Sequence, residues 1–133
     1  MLTRSFLFLA AVVLLAPGGC GPAKLEETRT WTVSASDSGM SGEVKTMMLP
    51  KQPKPQRITV EYESNQPVDV GIYKSEDVKE GDINLPTSKA LALDRAKSAG
   101  SIQADLGPDV ATTVTVTGLS KTATVKLTVH NKK

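Results

Sequence analysis

Val114 and Val116, then Val125, Leu127 and Val129, stand at every second position, with threonine and lysine between them. A period of two cannot lay an apolar stripe along a helix, which needs 3.6, so these segments must be strands with one face buried. Branched valine and threonine side chains suit a pleated surface. The pattern recurs along the chain. Trp31, Val33 and Ala35 alternate with Thr30, Thr32 and Ser34. Glu43 to Leu49 reads as a poorer strand, with Val44 and Met48 sharing a face. Ile58, Val60 and Tyr62 alternate with Arg57, Thr59, Glu61 and Glu63. Val68, Val70 and Ile72 follow, and later Ile102, Ala104 and Leu106, then Val110 to Val116, then Ala123 to Val129. Ser64-Asn65-Gln66-Pro67 reads as the turn of a hairpin with one wet face, and Gly71 as a bulge. Gly107-Pro108-Asp109 reads as a turn, and Gly118-Leu119-Ser120-Lys121 as a hairpin loop.

Two segments read less directly. Pro50-Lys51-Gln52-Pro53-Lys54-Pro55 excludes helix and central strand. It fits a rigid connector across the end of a sandwich, a polyproline recognition segment or a basic contact for anionic lipid, and the connector is favoured. Thr87 to Ala99 holds helix formers behind a Thr87 or Ser88 cap, which favours a short helix. The alternative is a strand with Leu91 and Leu93 inward. Seven or eight short strands with at most one short helix give an all-β chain, a single antiparallel, jelly-roll-like β-sandwich over residues 28–133.

The chain opens differently. Arg4 precedes an apolar run from Phe6 to Ala16, too short to span a membrane, which takes about 20 residues, and right for the core of an export signal. Pro17-Gly18-Gly19 ends the run before Cys20, the single cysteine. The segment Leu14 to Cys20 resembles a bacterial lipoprotein signal. The resemblance implies a signal peptide over 1–19, cleavage between Gly19 and Cys20, and diacylglycerol on the Cys20 sulfur, with a further acyl chain such as palmitate on the new amino terminus. Residues 20–27 then form a lipidated tether. The protein is expected to be exported and lipid-anchored to the bacterial cell membrane or outer membrane. Lipidation also accounts for an unpaired cysteine in an exported chain.

Without residues 1–19, fifteen of the sixteen basic residues remain against fourteen acidic ones. That balance gives no electrostatic case for a nucleic-acid partner. One cysteine makes no internal disulfide, so the domain depends on burial. Its only aromatic residues are Trp31, Tyr62 and Tyr73.

The hairpin leading into Val-Asp-Val-Gly-Ile-Tyr (68–73), then Gly-Ser-Ile-Gln-Ala (100–104) and Thr-Val-Lys-Leu-Thr-Val (124–129), is also similar to bacterial pre-peptidase C-terminal domains. That resemblance implies an exported sandwich acting as an accessory module rather than an enzyme.

Few residues carry chemistry. His130, the only histidine, falls on the outward face of the last strand, away from any nucleophile, so no catalytic set is expected. Glu76, Asp77, Glu80 and Asp82 could offer oxygens to calcium, but their spacing does not match the known loop, and a solvated acidic turn beside Lys74 and Lys79 is the favoured reading. Trp31, Tyr62 and Tyr73 could stack on a sugar. Alternation puts Trp31 and Tyr62 inside, which leaves Tyr73 as the one candidate ligand contact. No cofactor or metal is expected. The sequence reads as a membrane-anchored, non-enzymatic binding or structural module whose partners are membrane lipid through Cys20 and an envelope protein or polysaccharide. A carbohydrate- or other ligand-binding module is the alternative, and an enzyme a distant third.

Overall fold

The computed structural model describes residues 22–35, 42–79 and 85–132. Cys20, Gly19, Glu80 and Asp82 lie outside the described residues. The chain is all-β, antiparallel and sandwich-like. Its strands are β1 (Glu26–Val33), β2 (Val44–Leu49), β3 (Gln56–Lys74), β4 (Ala92–Leu106), β5 (Thr112–Thr117) and β6 (Ala123–His130). The order β1-β6-β3-β5-β2, with β4 on the other edge of β3, makes one curled sheet.

The curl follows from β3, which is 19 residues long. One of its edges pairs with β4 over Gln56–Glu63 and again between Val68 and Ile72. The other pairs with β6 over Thr59–Ser64 and with β5 over Asp69–Lys74. The expected turn at Ser64–Pro67 is therefore a bend, not a hairpin. Chain reversal waits until the 75–91 connection. Ser64 Oγ donates to the Gln66 carbonyl at 2.6 Å, and Asn65 Oδ1 accepts from the Thr124 amide at 2.9 Å. These side chains take over where the ladder stops, and Pro67, which has no amide to donate, falls there. The two halves close over a single core that includes Val33, Ile58, Val60, Val70, Ile72, Val114 and Val116.

Most of the alternation holds. Ala123, Val125, Leu127 and Val129 are fully buried, with Thr124 and Lys126 exposed between them. Ile102, Ala104 and Leu106 face inward from β4. The Pro50–Pro55 loop connects β2 in one half to the start of β3 in the other.

Other expectations change. The described residues hold six strands rather than seven or eight, because β3 and β4 each run through where a break was read. Thr87–Lys89 is a single 3₁₀ turn and the expected helix is absent; residues 92–99 are strand. The long edge of β3 would otherwise leave a row of unpaired backbone groups, and pairing them overrides the helix preference of alanine, leucine and lysine. Leu93 packs on the outer side, opposite Gly71, and Leu91 is exposed, while Ala92 packs on the core. In β2 the inward residues are Met47 and Leu49, opposite Val114 and Thr112; Met48 is 73% exposed. The 118–122 loop joins no hairpin, since β5 and β6 lie in different halves.

Gly71 marks no bulge of its own; the register shifts lie between Glu63 and Val70. A Cβ there would lie 2.8 Å from Tyr73 Cε1 and 3.2 Å from Thr115 Oγ1, so the glycine makes room for the Tyr73 ring. Gly71→Ala is expected to lower stability by about 1–3 kcal/mol through overpacking, read as a drop in thermal midpoint. Val125→Asp should abolish folding, since an unpaired buried carboxylate costs several kcal/mol out of a total of roughly 5–15. Lys126→Asp should melt close to wild type. Circular dichroism melts of both variants check the register of β6.

Candidate functional site

Two places on the surface bring polar side chains together. The first is an open depression of about 400 Å³ lined by Glu61, Tyr62, Glu63, Ala99, Gly100, Lys126 and Thr128. Adjacent strands build it. Glu61 lies opposite Thr128, and Glu63 opposite Lys126. On the far edge Tyr62 lies opposite Gly100, and Glu63 opposite Ala99. The small residues of β4 make the dip. At Gly100 a Cβ would come within 2.8 Å of both Asp94 Oδ2 and the Tyr62 hydroxyl.

Those two groups form the polar contact across the bend. The Tyr62 hydroxyl donates to Asp94 at 2.6 Å, and Lys97 Nζ lies 3.5 Å from the other Asp94 oxygen. Burial first, and then the hydrogen bond to Asp94, push the Tyr62 phenol well above its ordinary range. On the outer face His130 Nε2 lies 3.6 Å from Glu61. His130 thus points outward as expected, but its side chain is largely covered.

The depression can hydrogen-bond a polar group through two carboxylates, an ammonium and a hydroxyl. Glu61 and Glu63 both line it, and both are exposed. The sequence placed these residues on one wet face; it gave no sign of the dip, which depends on β4 being a strand.

The aromatic residues do not line it as a platform. Trp31 is half-buried against the core and Tyr62 is buried. Tyr73 lies on the outward face of β3, but it is 0% exposed, and its ring crosses Gly71 beside Thr115 and Leu93. Its expected role as a ligand contact is therefore corrected: alternation gave the direction, and the covering of that face gave the burial. Glu76 and Asp77 lie in a 3₁₀ turn, with Asp77 3.8 Å from Lys89 Nζ. Among the described residues no three histidine, cysteine, aspartate or glutamate side chains converge as a metal site would require.

The second place is the end of the sandwich nearest Cys20 in sequence. The Ala23 amide donates to Gln52 Oε1 at 3.1 Å, and its carbonyl accepts from Gln52 Nε2 at 3.3 Å and from Asn131 Nδ2 at 2.8 Å. Asn131 also accepts from the Leu25 amide at 2.9 Å and donates to Gln56 at 3.0 Å. The Gln52 carbonyl accepts from the Asp109 amide at 2.7 Å. The segment read as tether is thus fastened to the body from Ala23 onward, and Glu26 and Glu27 already belong to β1. Gln52 and Asn131 stood out in no sequence pattern.

No protein-family model and no curated protein matches this chain. Among solved structures, a family two carbohydrate esterase from Cellvibrio japonicus aligns with 81% of this chain at 15% identity and a TM-score of 0.29. The chain spans 35% of that protein's length. A likeness this low carries no argument about function.

Tyr62→Phe removes the bond across the bend and is expected to cost about 1–2 kcal/mol. The Tyr62 and Tyr73 phenols are both raised by burial. The folded state therefore holds these protons more tightly than the unfolded chain. The stability they contribute is complete below the ordinary phenol value near 10 and is lost as pH rises past it. Melts from about pH 8 to about pH 11 should show the wild type losing stability faster with pH than Tyr62→Phe.

Proposed function

We propose that this chain is a bacterial lipoprotein, exported and held to the envelope by lipid on Cys20, whose sandwich is a non-enzymatic binding or structural module. One observation carries the reading. The single cysteine closes an eleven-residue apolar run bounded by Arg4 and by Pro17-Gly18-Gly19, in the order an export signal with a lipidation site requires. The clamp on Ala23 supports it, since a membrane-held amino terminus must pass into a folded body that tolerates the pull.

The depression beside Glu61, Glu63, Lys126 and Thr128 supports a second reading, a ligand-binding module. Its lining suits a small polar or hydroxylated ligand held by hydrogen bonds. A sugar stacked on aromatic rings would need an exposed ring, and the described residues offer none.

Cys20→Ser should abolish incorporation of labelled fatty acid and release the protein from the membrane fraction. Each buried methylene contributes about 0.8 kcal/mol, so two or three acyl chains hold a protein where one does not. Equal labelling of wild type and variant, or none in the wild type, rules the proposal out.

A further inference from the structure

The clamped end of the sandwich carries lysines in an arrangement the overall charge does not account for. Lys24 lies one residue past Ala23. Lys51 and Lys54 flank Gln52, the residue that holds Ala23. All three lysines are exposed, and none forms an ion pair among the described residues. Their neighbours are mostly neutralised. Lys132 pairs with Glu26 at 2.9 Å, and Arg57 pairs with Asp105 at 2.7 Å. Among the described residues Asp109 forms no ion pair. Pro50, Pro53 and Pro55 stiffen the loop, so the lysines stay at its surface rather than folding back.

Covalent geometry fixes how far this end can stand from an anchor at Cys20. Three residue-to-residue steps lead from Cys20 to the clamped Ala23, and fully extended they reach about 10 Å. That is comparable to the screening length of about 8 Å at physiological salt. Charges at this end are therefore within electrostatic reach of the headgroups, whereas Lys121, in the loop at the opposite end of β6, is not.

We propose that this end, through Lys24, Lys51 and Lys54, binds the phosphates of anionic phospholipid in the leaflet that holds the anchor. The inference rests on lipidation of Cys20 and adds what the anchor alone does not supply, a fixed orientation. Each lysine close to an anionic leaflet gains about fivefold in binding. Attachment itself comes from the acyl chains. The lysines set which end of the sandwich faces the lipid.

The test uses the mature lipidated protein in phosphatidylcholine vesicles with and without phosphatidylglycerol. Lysine acetylation rates are read residue by residue by mass spectrometry. Phosphatidylglycerol should slow acetylation of Lys24, Lys51 and Lys54 by about threefold or more, leave Lys121 unchanged, and lose this effect at high salt. The Lys51→Gln/Lys54→Gln double variant should weaken the protection of Lys24. Rates that do not differ between the two vesicles overturn the proposal, as does equal protection of Lys121. Protection seen only in envelope fragments, and not in vesicles, assigns the lysines to an acidic envelope polymer and overturns it too. The mass of the amino-terminal peptide reports lipidation separately. A peptide without lipid removes the anchoring reading, and the Cys20 thiol coupled to a maleimide lipid then lets the same acetylation rates decide headgroup binding.

Discussion

Everything in this fold depends on satisfying both edges of β3. A 19-residue strand presents a row of amides and carbonyls on each side, and a buried one left unpaired costs as much as a lost hydrogen bond. One neighbour, β4, covers one edge along nearly its whole length. On the other edge β6 and β5 divide the work, and the division forces the bend at Ser64–Pro67. That bend brings two half-sheets face to face and creates a core that neither could form alone. The remaining strands follow: β1 pairs with β6, β2 with β5, and backbone bonds among Ser34, Gly42, Glu43 and Gly118 tie the far ends together.

What could be read from sequence is what depends on one strand at a time. Val125 against Lys126, or Ile58 against Arg57, is decided by a single face and its solvent, and alternation reports that directly. What could not be read depends on the partner strand. Met47 and Met48 are equally apolar, and only the register against Val114 selects the first for the interior. Asn65-Gln66-Pro67 has turn chemistry whether the chain reverses or merely bends. Thr87 to Ala99 prefers helix locally, and residues 92–99 become strand because β3 has an edge to fill. Tyr73 points outward as alternation requires, yet its burial comes from Gly71, Thr115 and Leu93, residues distributed over three strands. The depression shares that origin, since its lining includes Ala99, in the segment that the sequence left between helix and strand.

The interior is uneven in its polar satisfaction. Tyr62 finds Asp94 across the bend, whereas the Tyr73 hydroxyl and Thr112 Oγ1 are buried without a hydrogen-bond partner among the described residues. Each such group costs about 1–3 kcal/mol. With no disulfide to constrain the unfolded chain, that loss is offset by valine, isoleucine and leucine packed across the two halves.

Among those loops, the end holding Ala23 is unusual in being built from distant parts of the chain. Gln52 comes from the connection between the half-sheets, Gln56 from the start of β3, Asn131 from beyond β6, and Asp109 from the turn after β4. A tether that simply led into β1 would transmit the pull of an anchor to the free end of an edge strand, where it can peel rung by rung. Fastened at Ala23 by Gln52 and Asn131, the same pull is shared among β3, β6 and the loop between the halves. An anchor at Cys20 would load the sandwich through its body rather than through one strand. The lysines beside the clamp lie where that load enters, so the contact that would orient the molecule and the one that would bear its tether are the same few residues.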